Sequence, residues 1–76
     1  MNYDINTAEG MANAKAWMVN TLAHLNEKGV WMVPRSCTIV TLDQKAKTAK
    51  VQSLLDDPSI ALVLEAIGYT VTTTGG

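Results

Sequence analysis

Met11, Ala14, Met18, Leu22 and Leu25 recur at spacings of three and four, one apolar stripe that predicts an amphipathic helix from about Thr7 to Glu27. Ala12, Ala16, Val19 and Ala23 widen the stripe with small residues. Asn6 is the expected N-cap, and Glu9 three residues on completes a capping box. Lys28-Gly29 is the expected stop, a cation for the negative end of the dipole and a glycine for the left-handed cap. The period then changes. Val30-Trp31-Met32-Val33 is a short run of strand formers closed by Pro34, which cannot donate to a ladder. Pro34-Arg35-Ser36 reads as a bend. From Cys37 to Leu42 a strand is predicted with Cys37, Ile39 and Thr41 on one face and Thr38, Val40 and Leu42 on the other. Asp43 to Lys47 forms a hairpin loop, and Thr48 to Ser53 returns as a strand with Ala49 and Val51 inward.

Asp57-Pro58 is the sharpest local signal: Asp caps, and Pro takes the first helical position, where its missing N–H costs nothing. Ile60, Val63, Leu64 and Ile67 then mark the core face of a short helix that Gly68 ends. Tyr69 to Thr72 is a last strand, and residues 73–76 are expected to fray. The expected fold is a single small α+β domain over residues 1–76. Its element order is α-β-β-β-α-β, with two helices on one face of a mainly antiparallel sheet.

Length sharpens this picture. A chain of 76 residues buries only about 60% of its unfolded surface. Its apolar set includes nine alanines and no Phe, so the core is lean. One Cys allows no internal disulfide, and one Cys with one His is a poor basis for a zinc site. Neither a metal nor another cofactor is expected, which raises the weight of a partner as a source of stability. No apolar run approaches the roughly 18 residues that cross a bilayer, and no signal-like start is seen. A cytoplasmic setting without membrane contact is expected.

The candidate chemistry is sparse. His24 and Cys37 are the only potential base and nucleophile of that class, and the plainer reading is a surface His and a small buried Cys. Ser36 lacks a Gly-x-Ser-x-Gly setting, phosphate-binding glycine spacings are absent, and Asp56-Asp57 suit a helix start. No catalytic residue is assigned, and the chain is expected not to be an enzyme. Net charge is −1, with 6 Lys+Arg against 7 Asp+Glu. The segment from Arg35 to Gln52 nonetheless carries four cations, Arg35, Lys45, Lys47 and Lys50, against Asp43 alone. Such a hairpin is a candidate for weak nucleic-acid binding, while the plainer reading of lysines on a polar edge strand is a guard against edge pairing. Double-stranded RNA-binding domains share the αβββα order but start their second helix with basic residues, where this chain has Asp56-Asp57-Pro58. Trp17 lies off the α-helical stripe beside Asn13, Asn20, Thr21 and His24, and Trp is enriched at interface hot spots. Trp17, Trp31 and Tyr69 are therefore the candidate contact residues.

Three segments carry a family resemblance: Asn2-Tyr3-Asp4 with Ala14-Lys15-Ala16-Trp17-Met18, then Trp31-Met32-Val33-Pro34-Arg35-Ser36, then Asp57-Pro58 with Glu65-Ala66-Ile67-Gly68-Tyr69-Thr70-Val71. Together they resemble small uncharacterised proteins of tailed bacteriophages. The resemblance implies a viral accessory protein acting in the bacterial cytoplasm, and it implies no activity. The expected function is a non-enzymatic interaction module that self-associates, as a dimer or higher homo-oligomer, or binds a host protein.

Overall fold

The computed structural model describes residues 2–55 and 58–75, and for Arg35 and Gly75 the backbone alone. Helix α1 spans Ala8–Ala23, strand β1 Lys28–Val33, β2 Thr38–Asp43, β3 Thr48–Ser53, helix α2 Ser59–Ala66 and β4 Thr70–Gly75. A 3₁₀ turn, Pro34–Ser36, joins β1 to β2. The four strands form one sheet in the order β1-β2-β3-β4. β1–β2 and β2–β3 are antiparallel, and β3–β4 is parallel, with α2 in the crossover. The expected α+β order and the mainly antiparallel sheet are both present.

The stripe on α1 works as read. Ala14, Met18 and Leu22 are buried, and Met11 and Leu25 pack against the same cluster as Val40, Leu42 and Val51 of the sheet. Ala12, Ala16, Val19 and Ala23 do not widen it: all four are exposed. Val19 follows fully buried Met18 by one position, a turn of about 100° that carries it to the solvent side.

Both ends of α1 differ from expectation. Thr7, not Asn6, is the N-cap, its Oγ1 accepting from the Gly10 N–H at 3.0 Å. That register places Glu9 one position short of a capping box, though still in the first turn, where its charge suits the dipole. The helix stops at Ala23, where local bonds from His24 N–H to Thr21 O and Leu25 N–H to Leu22 O are joined by one distant side chain. Gln44 Nε2 donates to Leu22 O at 3.0 Å and to Asn26 O at 3.1 Å. Lys28-Gly29 is the start of β1, where Gly29 pairs with Leu42.

The hairpin follows the alternation. Thr38, Val40 and Leu42 are buried beside Ala49 and Val51. Buried Thr38 is satisfied locally: its Oγ1 donates to Ser36 O at 3.1 Å and accepts from Ser36 Oγ at 3.0 Å. Cys37 is not a strand residue. It is left-handed (φ 47°, ψ 45°), closing the 3₁₀ turn ahead of β2.

In α2, Pro58 is the N-cap and Ser59 the first helical residue, one position later than the sequence suggests. Asp56 and Asp57 lie outside the described residues. The far end of α2 is a Schellman motif. Gly68 (φ 103°) donates to Glu65 O at 3.0 Å, and Tyr69 donates to Leu64 O at 3.0 Å, with both Leu64 and Tyr69 in the core. β4 is longer than expected. Thr73, Thr74 and Gly75 are paired with Val51, Gln52 and Ser53 and do not fray, while Gly76 lies outside the described residues.

Candidate interaction surface

Strand alternation divides the sheet into two faces. Both helices cover the face bearing Trp31, Val33, Val40, Leu42, Ala49 and Val51. On the other face the rows are Val30, Thr41, Lys50, Thr72 and Met32, Ile39, Gln52, Thr74. Polar residues fill most of those rows, but the apolar ones gather at the β1 edge: Val30 is 71% exposed and Met32 62%. An aliphatic group left in water at the rim of a sheet forgoes its share of the hydrophobic effect, so this edge gains from being covered.

The backbone of β1 is open along the same edge. Gln44 N donates to Glu27 O at 2.7 Å, which extends the β1–β2 ladder by one pair. Hydrogen-bonding pairs alternate in an antiparallel ladder. Glu27, Gly29, Trp31 and Val33 therefore turn their N–H and C=O groups to β2, and Lys28, Val30 and Met32 turn theirs outward. The bond from Leu54 N to Cys37 O at 3.0 Å gives β2 the same phase by counting from its other side.

On the covered face of β1, Trp31 meets Trp17 of α1, ring centroids 5.8 Å apart and planes tilted by 42°. Trp17 remains 37% exposed, and Trp31 is half-buried against the core. The two tryptophans named from the sequence thus sit together at one edge of the sheet. Tyr69 does not join them. It is buried beside the opposite edge strand, with Lys47 Nζ 5.2 Å from its ring centroid. Burial, and secondarily the Asp43 carboxylate, raise its phenol pKa above the ordinary 10.0. Tyr69 is a core residue, placed by the Schellman turn, and is withdrawn from the contact set.

The four cations of the hairpin also separate. Lys45 and Lys47 occupy the β2–β3 loop, and Lys50 lies on the open face of β3. The turn holding Arg35 is at the other end of β2, about 17 Å away for a six-residue strand. Lys28, opposite Asp43 in the register, is at the loop end and is the cation that sequence reading missed. His24 and Cys37 are not brought together either. His24 is the exposed C-cap of α1, between Leu22 and Asn26 whose carbonyls Gln44 binds at the loop end, whereas Cys37 sits in the turn after β1 with Sγ 3.8 Å from Pro34 O. Among the described residues no group of three or more His, Cys, Asp or Glu is placed to hold a metal ion, and no helix is long and apolar enough to cross a membrane.

Val30 and Met32 had a legible signal. In Val30-Trp31-Met32-Val33, alternation sends only every second residue to the core, so a four-residue apolar run on an edge strand exposes two. Compared with protein-family models, curated proteins and solved structures, the chain matches none.

Proposed function

We propose that this chain is a non-enzymatic interaction module whose contact surface is the β1 edge: Val30 and Met32 on the open face, and Trp17 with Trp31 behind them. The single observation that carries the reading is the exposure of Val30 and Met32 on a strand whose outward backbone groups are unpaired by the sheet. A long, apolar edge is a template for another chain, and natural proteins that do not use such an edge blunt it with charge, Pro or a bulge. Here Lys28 stands at one end of it and Pro34 just past the other, and Val30 and Met32 between them carry no such guard. The phage resemblance supplies the setting in this proposal, an accessory protein in the bacterial cytoplasm that binds itself or a host protein.

The test compares wild type with Val30→Lys/Met32→Lys, first confirmed to be folded by circular dichroism. Wild type is expected to self-associate in light scattering or to retain a bacterial protein in a pull-down, and the double variant is expected to do neither. A wild type that does neither, or a variant that retains whatever wild type retains, overturns the reading.

A further inference from the structure

We infer that the occupant of the β1 edge is a second copy of this chain, paired antiparallel to the first about a two-fold axis through Trp31, so that two four-stranded sheets become one of eight strands. This rests on the reading of β1 as the contact surface and names its partner.

The argument begins with the backbone. Lys28, Val30 and Met32 present their N–H and C=O groups outward, and an antiparallel copy presents the same groups in reverse order, so donors meet acceptors without any other sequence. A continuous sheet also requires like faces to pair, which limits the register to shifts of two residues. Three of those registers set Val30 and Met32 against themselves or each other, and the side chains decide among them. With Val30 opposite Val30 of the second copy, each Lys28 ammonium stem falls opposite Met32, a cation set into the apolar cluster. With Met32 opposite Met32, each Val30 faces Pro34, which has no N–H to give. With Val30 opposite Met32, both residues exchange two hydrogen bonds, four across the axis, and each Lys28 lies beyond the paired stretch, opposite Pro34 at the rim.

That third register also groups the side chains. On the open face, two Val30 and two Met32 side chains meet. On the helical face, Trp31 falls opposite its own copy in the close, non-hydrogen-bonded position, about 4.5 Å between Cα atoms. Trp17 of each chain flanks this pair, giving a row of four tryptophans of the kind that dominates interface energetics. β4, the opposite edge, offers no such match, since exposed Thr70, Thr72 and Thr73 give it little apolar surface. A single strand pair with two helical tryptophans is small for a stable interface, so the dimer belongs to the weak class and forms at micromolar concentrations.

Light scattering across a concentration series provides the first measurement. Wild type is expected to pass from monomer to dimer by the high micromolar range. Val30→Pro deletes an N–H that the monomer does not use, so the folded chain is expected to remain monomeric with at least a tenfold weaker association. Met32→Lys serves the same purpose should Val30→Pro fail to fold. Register is read by disulfide trapping in a Cys37→Ser background. Val30→Cys mixed with Met32→Cys is expected to cross-link under mild oxidation several-fold faster than either alone, because a directly opposed pair at about 5.5 Å between Cα atoms suits a disulfide.

A strictly monomeric wild type overturns the inference, as does a dimer indifferent to both Val30→Pro and Met32→Lys. Faster cross-linking of either single variant alone overturns the register. If wild type is monomeric yet retains a protein that Val30→Lys/Met32→Lys loses, the second copy is wrong and the contact surface stands. If neither occurs, both fall.

Discussion

By intrinsic propensity, a glycine in a helix is worth about 1 kcal/mol less than alanine, so Gly10→Ala reads as a stabilising change. The structure reverses that sign. A Cβ at Gly10 would overlap the backbone carbonyl of Asp4, which is itself held by the Thr7 N–H at 3.0 Å and Thr7 Oγ1 at 2.8 Å. Nothing flexible stands in the way, so residues 2–6 must shift. Gly10→Ala is expected to lower stability by about 1–3 kcal/mol in denaturant unfolding, the usual scale of overpacking. Among the described residues two non-glycines are left-handed, Cys37 at φ 47° and Lys47 at φ 57°. Relief of that strain, offset by the extra freedom of glycine in the unfolded chain, should make Cys37→Gly more stable by about 0.5–1 kcal/mol. Lys47→Gly gains the same relief but loses the cation over Tyr69, a contact of similar size, and should be near neutral. A melting-temperature rise for the first and not the second would show both terms. Tyr69 adds a pH dependence. Its pKa is raised in the folded state, so above the ordinary 10.0 the unfolded chain gives up the proton while the folded chain keeps it. Stability from this group is full below that pH and falls as pH rises toward the raised value. Thermal melts from pH 8 to 11 should therefore decline more steeply for wild type than for Tyr69→Phe.

Among the elements, the end of α1 depends most on a single distant side chain. Gln44 Nε2 donates to Leu22 O, which the Leu25 N–H also reaches at 3.1 Å, and to Asn26 O just past the helix end. Gln44→Ala should cost about 1–2 kcal/mol, and Gln44→Glu about as much, since a carboxylate of the same reach accepts and cannot donate. Amide exchange of His24 and Leu25, whose N–H groups bond to Thr21 O and Leu22 O, should accelerate in both variants. A variant with unchanged exchange would show that the end is fixed by Leu25 packing instead. This contact also explains where the sequence misleads. α2 and β3 were legible because their signals are local: an i, i+3, i+4 face closed by Gly68, and strict alternation around Ala49 and Val51. The stop of α1 was not legible, since Lys28-Gly29 imitates a cap and the true partner lies more than twenty positions on. β4 was read short because a polar run of threonines looks like a tail until β3 supplies its ladder. In the surface, Trp17 and Trp31 were legible as candidate contact residues, but only the fold puts them side by side. Tyr69 was misplaced because a tyrosine after a helix-ending glycine carries no sign of whether the turn folds it inward.

At the scale of the molecule the decisive feature is asymmetry between its two edges. α2 secures one half of the sheet through the parallel β3–β4 pair, whereas β1 is covered on its inner face by Trp17 and on its outer face by nothing among the described residues. A lean core leaves stability modest, so pairing of β1 should register in the folding equilibrium itself. Ligation that occurs only in the folded state stabilises it by mass action. Well above the dissociation constant of a dimer, each tenfold rise in concentration adds about 1.4 kcal/mol per dimer, or half of that per chain. For a domain of this size that corresponds to a melting-temperature rise of roughly 3–6 °C per decade. Wild type is expected to show this slope by calorimetry from the low to the high micromolar range, and Val30→Pro to melt at one temperature throughout. Equal slopes would mean that association engages some other surface, and two flat lines would mean that the edge stays open, leaving Val30 and Met32 unexplained as features of a folded monomer.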